Sequence, residues 1–99
     1  MADSNKNDNG KKKASLGEIA RRARREVAEL TGRSTEAVLG VEHDDGVWKV
    51  EVETLELERV PRTTDLLACY VVTLDDDGEV VEYHRGRRYL RGQPDEDAE

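Results

Sequence analysis

The sequence predicts an α+β domain in which an N-terminal helix and a short second helix precede a mostly antiparallel sheet of about four strands, arranged as two hairpins. Three observations carry this expectation. A capped apolar stripe recurs at three- and four-residue steps over residues 15–32, period-two alternation runs through the stretch beginning at Val47, and Asp-Asp-Gly occurs at 44–46 and again at 76–78.

The first helix is the most strongly patterned element. Ser15 and Glu18 have the spacing of a capping box, in which the hydroxyl accepts from an early backbone N–H and the carboxylate accepts from the cap's own N–H. Leu16, Ile19, Ala20, Ala23, Val27 and Leu30 form one stripe, and Gly32 is placed to end it. Arg21, Arg22, Arg24 and Arg25 occupy the other face with Glu18, Glu26 and Glu29. Ser34 reads as a second N-cap, opening a short helix over Thr35 to Leu39 that Gly40 closes. Strands then flank each Asp-Asp-Gly turn, and Pro61, which lacks an N–H and restricts Val60, ends the long middle strand.

That middle strand, "VWKVEVETLELERVP" at residues 47–61, changes parity. Trp48, Val50 and Val52 alternate with Lys49, Glu51 and Glu53, after which Leu55 and Leu57 take the odd positions. An extra residue near Glu53 to Thr54 would rotate the strand and return both leucines to the face of Trp48. A flat strand would instead leave Leu55 and Leu57 as an apolar patch on the open face. The glutamates need only a solvated sheet face. Trp48, the largest apolar side chain, is expected to anchor the core against the helix stripe.

Composition limits what such a domain can be. Hydrophobic residues are 35% of the 99, with no Phe, so the core must come from Val, Leu, Ile, Trp48 and three Tyr. Residues 1–14 are polar and basic and are expected to be disordered, residues 15–91 to form a single domain, and residues 92–99 to be an acidic tail. No apolar run approaches the roughly 18 residues of a membrane span, and no signal peptide is evident, so the expected location is cytoplasmic. Cys69 is the only cysteine; it excludes an internal disulfide and is expected to behave as a small hydrophobe within a strand. Net charge is −7, divided as +4 over residues 1–33 and −11 over the remainder.

Reactive constellations are not evident. His43 and His84 share no spacing with a third metal ligand, and the acidic runs at 44–45 and 75–77 lack the alternating ligands of a calcium loop. Neither a phosphate-binding glycine loop nor a nucleophile elbow is present. The expectation is a protein that is not an enzyme and takes no cofactor or metal. A small regulatory or nucleic-acid-binding module, using the basic helix and "HRGRRYLRG", is the alternative, although the acidic chain as a whole opposes a polyanion.

The ordered set "WKVEVETLELERVPRTTDLLACYVVTLDDDGEVVEYHRGRRYLR" resembles the core of the gas vesicle protein O family, actinobacterial members in particular. That family has a Trp-led Val/Glu strand, an Arg-x-Pro turn, Asp-Leu-Leu-Ala-x-Tyr and a closing Arg-Tyr-x-Arg in this order. Val71 stands where members often have an acidic residue after the Tyr of the second long strand. The resemblance implies an accessory factor in gas vesicle assembly, an adaptor, chaperone-like or nucleating protein, whose partners are other gas vesicle proteins and whose location includes the vesicle. For Arg59, Arg62, Arg85, Arg88, Tyr89 and Arg91 two readings stand side by side: an ion-pair network that closes the sheet end, or an exposed partner-binding patch.

Overall fold

The computed structural model describes residues 14–93. Helix α1 spans Leu16–Thr31, and four strands follow: β1 Ser34–Asp44, β2 Val47–Leu57, β3 Leu66–Asp75 and β4 Val80–Leu90. A 3₁₀ turn, Arg62–Thr64, lies between β2 and β3 and follows a cis Val60–Pro61 bond. The expectations for residues 1–13 and 94–99 lie outside the described residues.

Both ends of α1 follow the sequence signals. Ser15 Oγ accepts from the Glu18 N–H at 3.2 Å, Glu18 Oε1 accepts from the Ser15 N–H at 3.2 Å, and Gly32 closes the helix at φ 73° while donating to Ala28 O. Of the apolar stripe, Ile19, Ala23 and Val27 are buried, whereas Leu16 and Leu30 at its ends are exposed.

Each strand pairs antiparallel with the next, giving a meander of order β1-β2-β3-β4. The Asp-Asp-Gly turns fall where expected. Asp45 and Gly46 take positive φ between β1 and β2, and in the β3–β4 turn Asp75 Oδ1 accepts from the N–H groups of Asp77 and Glu79 while Gly78 takes φ 86°. Helix α1 packs on one face of β1, β2 and β3. Trp48, Val50 and Val52 of β2 and Ala68, Tyr70, Val72 and Leu74 of β3 point to this helix side and form the core with Ile19, Ala23 and Val27. Trp48 is the anchor anticipated for it, and His43 stacks on its ring at a centroid distance of 4.1 Å. Cys69 is buried in β3 on the opposite, open face.

Two expectations are corrected. Residues 35–39 form no second helix; they belong to β1. A helix that short has little intrinsic stability, whereas the extended chain pairs with β2 from Ser34↔Leu55 to Asp44↔Val47 and brings Val38 and Val41 against the core. Irregularities between Thr35 and Ala37 and between Val38 and Gly40 blur its alternation, which hid the strand.

The parity change in β2 also has a different origin. Pairing runs unbroken through Glu53↔Cys69, Thr54↔Ala68 and Leu55↔Leu67, so no extra residue sits near Glu53 to Thr54. The shift falls between Leu55 and Leu57. Leu55 therefore points to the open face in register with Leu67 and, through it, Tyr89. Leu57, opposite Leu66, returns to the helix side, because Leu66 has the parity of Ala68. Leu55 thus faces the open side, as in the flat-strand alternative, and Leu57 reaches the helix side through an irregularity that falls later than the expected bulge.

Candidate functional site

Meander topology puts the two acidic turns at one end of the sheet and the β2–β3 connection, with its arginines, at the other. At this second end the chain runs past the helix. Sixteen helical residues cover about 24 Å, while an eleven-residue strand extends about 36 Å, so the last residues of β2, the first of β3 and the last of β4 project beyond the cover of α1.

Asp65 organises the connection. Its carboxylate is buried, with Oδ1 accepting the Arg59 N–H at 2.7 Å and Oδ2 accepting from Arg91 Nε at 3.1 Å, while Arg91 Nη2 stands 3.0 Å away as the ion-pair contact. The Arg91 N–H donates in turn to Asp65 O at 2.9 Å, and the Gly92 N–H to Thr63 O at 2.8 Å. The Arg59 amide, then the Arg91 guanidinium, hold the Asp65 carboxyl below its ordinary range against the opposing effect of burial. Gly92 has no room for a side chain, since a Cβ there would lie 2.8 Å from Thr63 Cβ. Arg91 also reaches Glu36 of β1 at 3.0 Å, tying both edge strands to the connection.

A second buried carboxylate closes the helix side. The Glu56 side chain is 4% exposed; Arg33, just past α1, approaches it at 3.2 Å and Arg85 of β4 at 3.4 Å, while Thr54 Oγ1 donates to it at 3.3 Å. Arg33 also donates to Glu56 O. On the open face, Tyr89 Oη donates to Glu53 Oε2 at 2.5 Å. Burial, then the Glu53 carboxylate, push the Tyr89 phenol well above its ordinary range, and burial does the same, more mildly, to the Cys69 thiol.

The six residues singled out from sequence are thus divided. Arg88, opposite Ala68, and Arg85, opposite Tyr70, lie on the helix side; Tyr89 lies on the open face; Arg91 is held by Asp65 and Glu36. Arg59 and Arg62 are exposed on the connection, with Arg62 Nε 4.0 Å from Asp65. Arg33 and Glu56 escaped sequence reasoning. Glu56 reads as one more solvated glutamate, yet it continues the parity of Val52 and Thr54 onto the helix side, where Arg33 and Arg85 take it up.

A family model described as gas vesicle synthesis protein GvpO matches residues 2–95. The chain belongs to this gas vesicle synthesis family. Gas vesicle protein O of a Streptomyces strain, CB03234, is 48% identical over 77 residues, covering 78% of this chain and 60% of the relative. Gas vesicle protein O1 of Halobacterium salinarum is 34% identical over 82 residues, covering 83% and 69%, and gas vesicle protein O of Haloferax mediterranei is 35% identical over 83 residues, covering 83% and 59%. The match therefore spans about three fifths of the length of two of these three relatives. No solved structure matches the chain. Among the described residues, no helix is long and apolar enough to cross a membrane.

Proposed function

We propose that the protein acts in gas vesicle assembly as a non-enzymatic adaptor, making contacts with other gas vesicle proteins through a single domain of about residues 15–91. One observation carries this reading: in β4 every residue from Val81 to Arg88 is exposed, on both faces of the strand. A strand of this length without cover on either side is an available surface, and its arginine and tyrosine content is of the kind enriched where partners bind. Arg59, Arg62, Arg85 and Arg88 make the contacts, while Tyr89 and Arg91 hold the platform through Glu53, Asp65 and Glu36. The working location is the cytoplasm and the vesicle itself.

The test is deletion of the gene in a gas-vesicle-forming host, together with recovery of the tagged full chain from cells building vesicles. Few or malformed vesicles after deletion, and co-recovery of other gas vesicle proteins, are expected. Normal vesicles with no vesicle component recovered would overturn the reading, and nucleic acid held with an affinity that collapses with salt would replace it.

A further inference from the structure

On the helix side of the projecting sheet end, three leucines stand in one cross-strand row: Leu57 of β2 opposite Leu66 of β3, and Leu66 opposite Leu90 of β4. Leu57 is 49% exposed and Leu66 and Leu90 are half-buried. Leu30, also 49% exposed, ends the helix that stops short of the row. Burying such side chains is worth far more than leaving them wet, and Leu57 and Leu30 are both left half exposed.

The border of the row is cationic. Arg33 follows α1, Arg85 and Arg88 precede Leu90 on the helix side of β4, and Arg59 and Arg62 follow Leu57. Of the carboxylates along this border, Glu56 is held by Arg33 and Arg85 and Asp65 by Arg91, while Glu58 is exposed beside Arg59, so five arginines still outnumber the acids left facing outward. Two acidic turns, Asp44–Asp45 and Asp75–Asp77, lie at the opposite end. Resting on the adaptor reading above, we infer that the leucine row is a docking surface for an amphipathic helix of a partner gas vesicle protein, one with acidic residues flanking its apolar stripe. A helix lies across the overhang as α1 lies on the rest of the sheet, and its carboxylates meet the arginine border. A second copy fits poorly, because its exposed helix face carries Arg21, Arg24 and Arg25.

Two experiments on the full chain test this. In the first, the isotope-labelled protein is titrated with a helical peptide of about 18 residues carrying leucines at three- and four-residue spacing flanked by glutamates, and with the same peptide flanked by lysines. The glutamate peptide should shift the amides of Leu57, Leu66, Leu90 and Arg88 and bind at least about tenfold more tightly than the lysine peptide. Leu57→Glu with Arg88→Glu should abolish the difference. Equal binding of both peptides, shifts centred elsewhere, or a dimer broken by Leu57→Glu would overturn the inference, the last in favour of a second copy. So would an RNA oligonucleotide that displaces the glutamate peptide.

In the second, the double variant is returned to the deletion strain beside Leu39→Glu, a control at an exposed position of β1. Failure of the double variant to restore vesicles, with an unchanged melting temperature and with Leu39→Glu active, supports the surface. Full rescue by the double variant overturns the surface and leaves the adaptor reading standing. A deletion with normal vesicles overturns both.

Discussion

Single side chains at the sheet end set how the protein responds to pH. Tyr89 and Cys69 are acids kept neutral by burial, so their folded-state pKa values lie above those of the unfolded chain. Their contribution to stability is complete below the unfolded values, about 8.5 for the thiol and about 10 for the phenol, and is lost as pH rises past them. Denaturation midpoints measured from neutral to strongly alkaline pH should therefore fall, and Cys69→Ala with Tyr89→Phe should flatten the decline. Asp65 has the opposite sign. Its folded pKa is depressed, so its contribution is present above the unfolded value, about 3.9, and is lost as pH falls through the folded one. Asp65→Asn should lower the melting temperature near neutrality and remove part of the acid decline, as thermal melts across pH will report. In the core, Trp48→Ala removes the largest side chain packed beneath α1 and should cost about 3–5 kcal/mol, read from denaturant titration.

Elements differ in how plainly the sequence announces them. Helix α1 was legible to the residue at both ends because its signals are local: a capping box, a stripe and a glycine in the left-handed region. Ser15→Ala should destabilise the domain by about 1 kcal/mol in the same titration, since the Glu18 N–H loses its hydroxyl acceptor. Strand β1 was misread because Ser34 and Gly40 punctuate it like a short helix, while its actual support, pairing with β2 and contact with the core, comes from residues distant in sequence. The hairpin turns were legible and the β2 irregularity was not, since a one-residue shift depends on where β3 pairs. Of the site, the arginines could be named in advance. The separation of Tyr89 onto the open face, and the capture of Glu56 by Arg33 and Arg85, could not. Gly92→Ala should loosen the sheet end, because a methyl group collides with Thr63; faster hydrogen exchange at the Arg91 and Gly92 amides would show it.

At the scale of the whole molecule, charge is sorted differently from the division read along the chain. Sequence separates a basic helical part from an acidic remainder. The fold instead runs from acidic turns, Asp44–Asp45 and Asp75–Asp77, to an end carrying Arg33, Arg59, Arg62 and Arg88, because a four-stranded meander delivers alternate connections to alternate ends. Helix α1 runs the same way, its first turns beside Gly78 and Glu79, where Arg22 meets the Gly78 carbonyl at 3.2 Å. That arginine-bearing end also holds Glu36, Glu53, Glu56, Glu58 and Asp65, several of them paired across strands, so its cationic character is local and not a charge of the whole tip. Beyond a Debye length of roughly 8–10 Å a partner meets only the net charge of −7, and the individual arginines are felt once the surfaces are close. Partner choice is therefore made at contact and not on approach.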